Sequence, residues 1–195
     1  MSSLFIDTLS SPAFICLFDN TSRNIINSLS WWWKHAEFDT LIESIDLLLK
    51  HHNVSYQDLE SIACLIGPGG FTGIRVTTLV ANTLGFSFKI PLYSVTVDDF
   101  FRFQEASTPW ILPLTKTEVL IWENPNDTTP SIIKIELLNG MTAYSSNQEF
   151  PLLQEDIICK QANNYQLFLQ NFPLQKPISV LHPLYARDPN ILIRR

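Results

Sequence analysis

The stretch "LIGPGGFTGIRVTTLVANTLG", residues 65–85, holds four of the chain's six glycines between Gly67 and Gly73, and a fifth at Gly85. It follows from the apolar run "SIACLIG", which reads as an internal strand covered on both faces. It then passes into a segment expected to be helical over about residues 72–86. A strand, a glycine turn and a helix start, in that order, aim backbone N–H groups at whatever lies in front of the turn, an arrangement that can hold phosphate. Two phosphate patterns are nevertheless missing. A Walker loop needs lysine after its last glycine, whereas Gly73 is followed by Ile74; the dinucleotide fingerprint fails because its third glycine position is Thr72. The turn is either an anion site or a tight structural junction.

The helix that follows offers a second signal. Gly73, Thr77, Ala81 and Gly85 recur every fourth residue, so one face carries only small side chains and permits close approach of another backbone. Two uses remain open: packing on this chain's own sheet or first helix, or docking a second chain. Upstream, "SLFIDTLSS", "PAFICLFDN" and "RNIINSLS" read as three short antiparallel strands separated by turn signals. Phe38, Leu41, Ile42, Ile45, Leu48 and Leu49 form the stripe of an amphipathic helix. "LYSV" after Pro91 is a further strand, and the first half thus reads βββαβα. Beyond it, "WILPLTKTEVLIWEN" reads as a strand pair, "PSIIKIELLNG" as a strand and "ANNYQLFLQNF" as a short helix, among many prolines. The pattern divides the chain into lobes 1–98 and 99–195.

Bulk composition narrows the function classes. With 195 residues, 46% hydrophobic and 16% charged, the chain can bury a real core and is not disordered. A formal charge of −6 gives no electrostatic reason to grip nucleic acid directly. Cys16, Cys64 and Cys159 lie far apart in apolar runs and read as buried reduced thiols. The first residues carry no basic region, Asp7 and Pro12 interrupt them, and no apolar run reaches membrane-spanning length; a cytoplasmic protein is expected. His35, His51, His52 and His182 fall in no ligand-spaced cluster, and there is no G-x-S-x-G elbow.

Four landmarks, "LFIDTLSSPAFICLFDN", "GPGGFTGIRV", "IPLYSV" and "PLYARDP", resemble in order and spacing those of the TsaB (YeaZ) family, which reads "ILAIDTS…VAL", "GPGSFTGLRIG", "iPlvgVsT" and "PLYLR". The resemblance covers residues 3–100 and the tail around Pro183–Pro189; residues 101–180 match poorly. It implies an α/β, actin-like ASKHA fold of two βββαβα lobes, the second shortened. It also implies a non-catalytic subunit that binds and activates a TsaD-like threonylcarbamoyltransferase in tRNA N6-threonylcarbamoyladenosine (t6A) biosynthesis. A TsaE-like ATPase would be a further partner, and tRNA would be met only indirectly. Self-association through the same face, when the chain is alone, is left open.

The resemblance also assigns residues. The partner interface would lie on the first two helices, at Phe38, Leu41, Ile45, Phe71, Thr72, Gly73, Arg75, Thr77 and Ala81, with Phe71 and Arg75 as aromatic and ionic anchors. Trp31, Trp32 and Trp33 add apolar surface nearby. A nucleotide, ATP or ADP shared with the partner and not a cofactor of this chain alone, would meet Asp7, Thr8, Gly69 and Gly70. A carboxylate in Asp7's position serves equally well to cap the neighbouring turn. The catalytic paralogue's H-x-x-x-H metal pair falls on Val97 and Phe101, which offer no lone pair. Two other classes fit the sequence less well. A free-standing actin-like ATPase or small-molecule kinase lacks a second glycine loop, since Gly140 is the only glycine after residue 85; a protease lacks a nucleophile paired with a base.

Overall fold

The computed structural model describes residues 1–32, 38–104, 109–124, 126–146, 158–161, 163–173 and 176–187. Side chains of Phe38 and of 158–161 lie outside the description, as do Trp33 and His35. The first half runs β1 (Ser2–Asp7), β2 (Ala13–Asp19), β3 (Ile25–Trp31), α1 (Phe38–His51), β4 (Leu59–Leu65), α2 (Phe71–Phe88), β5 (Leu92–Val95) and α3 (Val97–Arg102). The second half runs β6 (Trp110–Pro113), β7 (Glu118–Trp122), β8 (Ser131–Lys134), a 3-10 turn (Ile135–Leu138), β9 (Thr142–Ser145), β10 (Ile158–Gln161) and α4 (Tyr165–Asn171).

Each half builds one five-stranded sheet, in the orders β3-β2-β1-β4-β5 and β8-β7-β6-β9-β10. Strands β1 and β2 pair antiparallel, as do β6 and β7; β1 pairs parallel with β4, as β6 does with β9. The halves are therefore two copies of one topology, and α4 follows β10 as α3 follows β5. Their difference is in the connections. Between β3 and β4 lies the fourteen-residue α1, whereas a four-residue 3-10 turn stands between β8 and β9. The sequence reading of βββαβα in the first half is met, while β9 and β10 were not anticipated. The expected division at residues 98/99 falls inside α3.

Side-chain alternation on the strands explains the layering. On β1, Leu4 and Ile6 point to one face and pack with Leu41, Ile45 and Leu48 of α1 and Val80 and Ala81 of α2. Phe5 points to the other face and joins Cys16, Phe18 and Leu65 in a core shared with the second half. There Trp110 and Leu112 of β6, Leu120 and Trp122 of β7, Phe100 and Phe101 of α3, and Tyr165 and Phe168 of α4 close the space between the two sheets. Ile111, Val119 and Ile121 alternate to the far side and bury Ile135 and Leu138 of the 3-10 turn. Both sheets are thus covered on both faces. Cys16 and Cys64 are buried free thiols, and burial pushes both thiol pKa values up.

Candidate functional site

The glycine turn exists because two distant parts of the chain meet at it. Gly67 has φ +120°, and a Cβ there would lie 2.1 Å from the Leu184 carbonyl oxygen, so a side chain is excluded on both conformational and steric grounds. Leu184 N–H in turn donates to the Ile66 carbonyl at 2.8 Å. The "GPGGFTGIRV" and "PLYARDP" landmarks are therefore contact partners. Further along the same strap, Asn82 and the Leu181 backbone exchange two hydrogen bonds of 2.9 and 2.8 Å, and Ile178 bridges antiparallel to Leu92 at the edge of β5. Beyond them Arg187 reaches Glu118 of β7 at 2.7 Å, an exposed pair.

Helix α2 starts straight from the turn. The small-residue face is committed to this chain's own sheet: Thr77 and Ala81 are fully buried and Gly85 is buried as well. At Gly73 a Cβ would come within 2.9 Å of the Thr8 carbonyl oxygen, and the Thr8 hydroxyl donates to the Gly73 carbonyl at 3.1 Å and pairs with the Thr77 hydroxyl. On α1, Leu41 and Ile45 are likewise fully buried against β1 and β2. The expectation that Leu41, Ile45, Gly73, Thr77 and Ala81 contact a partner is corrected accordingly. Their small or apolar side chains let the helices approach the sheet: Leu41, Ile45, Thr77 and Ala81 leave no surface for another chain, and Gly73, half-buried, is pressed on Thr8.

The outward face of α2 is different. Thr72 and Arg75 are exposed, and Phe71, Leu79 and Phe86 expose 39%, 57% and 89% of their surface. Leu47 on α1 exposes 58%. Arg75 lies 3.7 Å over the Phe71 ring and donates from Nε to the Tyr185 hydroxyl at 2.9 Å, while Phe71 and Tyr185 stack at 4.8 Å. The strap therefore holds both expected anchors, Phe71 and Arg75, in place at the helix start. Leu79, Phe86 and Leu47 escaped the sequence reading, although their spacing off the buried stripes marks them. Trp32 is exposed beside β3.

The residues expected to meet nucleotide have other tasks. Asp7 is fully buried at the end of β1, where Oδ1 accepts from the backbone N–H groups of Leu9 and Ser10 (2.8 and 2.9 Å) and Oδ2 from the hydroxyls of Ser10 and Tyr165 (2.6 and 2.8 Å). Burial raises its carboxyl pKa, and these four bonds oppose that shift. Tyr165, stacked on Phe14 with ring centroids 3.7 Å apart, closes the space beside it. Gly69 is buried under Leu9, and of the four residues Gly70 alone has open space around its Cα. The assignment of Asp7, Thr8 and Gly69 to nucleotide is corrected: each is consumed by internal contacts, and Asp7 caps its own turn. Val97 and Phe101 are buried apolar residues, and among the described residues no group of His, Cys, Asp and Glu is arranged to hold a metal ion.

The duplicated β-sheet unit with its helical crossovers defines an actin-like ASKHA fold. Two solved structures share it over nearly the whole chain. A Pseudomonas aeruginosa protein described as similar to peptidase YeaZ superposes with TM-score 0.68 at 17% identity, covering 95% of this chain and 99% of that one. YeaZ from the same organism superposes with TM-score 0.61 at 15% identity, covering 87% and 89%. In sequence, a family model described as "TsaD: tRNA N6-adenosine threonylcarbamoyltransferase" matches residues 34–98. Proteins named tRNA threonylcarbamoyladenosine biosynthesis protein TsaB match at 30% identity in Buchnera aphidicola (subsp. Schizaphis graminum) and 29% in Bacillus subtilis. Those matches span 48% and 49% of this chain, and 43% and 41% of the relatives, so they cover less than half of either. The chain is thus similar to TsaB proteins in sequence over about half its length and to YeaZ in fold over most of it.

Proposed function

We propose that the chain acts in t6A biosynthesis as a non-catalytic subunit, binding and activating a TsaD-like threonylcarbamoyltransferase through the outward faces of α1 and α2. The observation that carries this reading is the row Phe71, Leu79 and Phe86 on α2, with Leu47 on α1: large apolar side chains exposed on helices whose other faces are fully packed. Such surface favours burial against another protein, and Phe71 and Arg75 are of residue types enriched at interfaces. The names of the matched relatives supply the pathway. The non-catalytic part is supported by the occupied surroundings of Asp7 and Thr8. Any ATP or ADP would then sit at the junction with the partner, near Gly70, and a TsaE-like ATPase would join the assembly.

Co-expression with the TsaD-like protein of the same organism, followed by size-exclusion chromatography with mass detection, tests the reading. A stable heterodimer, lost on Phe86→Asp while the variant keeps its melting temperature, is the expected result. A homodimer that persists in the presence of the TsaD-like protein, or separate monomers under every nucleotide condition, would refute it.

A further inference from the structure

Where α3 meets the open end of the β6–β7 hairpin, the two lobes enclose a cavity of about 200 Å³. Its walls are Phe101, Trp110 and Trp122, and its polar groups are Asp98, Arg102, Gln104, Asn124 and Asp127. At about 30 Å³ per molecule it holds six or seven waters, too few for a nucleotide and enough for a small metabolite. The polar wall is fixed. Gln104 donates to the Phe100 carbonyl at 3.2 Å and accepts from Asn164 N–H at 2.7 Å, and Asp127 accepts from Asn124 N–H at 2.8 Å. Phe101 stacks on Trp110 at 4.1 Å and meets Trp122 edge-on at 5.1 Å, so the rings form a closed apolar side.

The charges along this cavity are incompletely matched by the protein itself. Arg102 stops 3.9 Å from Asp98 and 4.0 Å from Asp99, within ion-pair distance but beyond hydrogen-bond reach. Asp98 is buried nonetheless; desolvation raises its carboxyl pKa, and a hydrogen bond from the Thr96 side chain opposes that shift only in part. Trp122 is buried as well, and its indole N–H finds no hydrogen-bond partner. A buried carboxylate and a guanidinium that stop short of a direct hydrogen bond to each other therefore share one wall, and the indole N–H of Trp122 lies behind it.

We propose that this cavity binds a small zwitterion of the α-amino-acid class, its ammonium group on Asp98, its carboxylate on Arg102 and its side chain against Phe101, Trp110 and Trp122. The competing classes fit less well. A lone anion meets the field of Asp98 and Asp127, and a lone amine or a metal ion meets Arg102. Only a ligand bearing both charges close together is attracted by both ends of the wall, and its apolar part fits the aromatic side.

The test uses the full chain alone, so its outcome is independent of partner docking. The twenty L-amino acids are added singly, up to about 10 mM, with ethylamine and acetate as single-charge controls, and binding is read by saturation-transfer NMR and by the Trp122 indole N–H resonance. The expected result is one or more amino acids that bind and shift that resonance, controls that do not, and affinity at least about tenfold weaker in Arg102→Gln and in Asp98→Asn. Failure of every amino acid to bind overturns the proposal. Binding that survives Arg102→Gln does so too, and because this side chain is partly exposed, that variant decides the matter even if Asp98→Asn does not fold.

Discussion

Replacing Tyr165 with phenylalanine removes one hydroxyl from the fully buried carboxylate of Asp7 while leaving the stacking on Phe14 in place. The hydroxyl donates at 2.8 Å to Asp7 Oδ2, whose remaining donor is the Ser10 hydroxyl. A hydrogen bond to an ionised group contributes about 1.5–3 kcal/mol, and one to a neutral group about 0.5–1.5 kcal/mol. Burial raises the folded-state pKa of Asp7 above its ordinary 3.8, so the folded form holds its proton longer than the unfolded form. Stability linked to Asp7 is therefore fully present below 3.8 and is lost as pH rises through the folded-state value. The Tyr165 bond favours the ionised form and limits that loss; without it the folded-state pKa rises further and more stability is lost. Urea unfolding is followed by tryptophan fluorescence at about pH 3.5 and at a pH above the folded-state pKa of Asp7, as located by the pH dependence of stability. Tyr165→Phe should be less stable by only about 0.5–1.5 kcal/mol at the first and by about 1.5–3 kcal/mol at the second. An equal deficit at the two pH values would refute the assignment of Tyr165 as a donor to the carboxylate.

Three further outcomes follow from packing. Ala81→Trp, which on a free helix face would leave the monomer folded, should unfold it or cost more than about 1–3 kcal/mol by overpacking between α2 and the sheet, as read by thermal melting. Gly67→Ala should destabilise more than an ordinary loop substitution, by over about 1 kcal/mol, because φ +120° and the Leu184 carbonyl both oppose a Cβ; denaturant titration reads the loss. Tyr185→Ala should leave the melting temperature within about 4 °C of the parent, since it removes only exposed contacts to Phe71 and Arg75, and calorimetry checks this.

The first sheet and its helices were legible because their signals are local. The periodicity of Leu41, Ile45, Leu48 and Leu49 marks α1, and the apolar run before Gly67 marks β4. The small-residue stripe of α2 was equally visible, but its partner was not. Close approach to one's own sheet and close approach to another protein demand the same residues, and the burial of Thr77, Ala81 and Gly85, with Gly73 against Thr8 and Gly85 against Leu92, distinguishes them. Asp7 misled for a related reason. The turn it caps is written beside it, whereas its fourth hydrogen bond comes from Tyr165, 158 positions later. The second sheet was read only in part: β9 and β10 are four residues each, and β9 joins the sheet through a single parallel pairing, Tyr144 with Trp110 of β6.

The strap at residues 176–187 bears on the order in which the molecule can be made. Asn82 finds its backbone partner 99 positions later, and Gly67 meets Leu184 later still. A ribosome adding about 5–20 residues each second would release the whole first lobe seconds before the segment that covers its β5 edge, fills the space beside Gly67 and pins Phe71 and Arg75. During that interval the edge strand and the start of α2 are bare, the kind of surface on which nascent chains associate wrongly. The later-made contacts thus complete the earlier-made lobe, and the α2 surface takes its final shape only once residues 176–187 have been added.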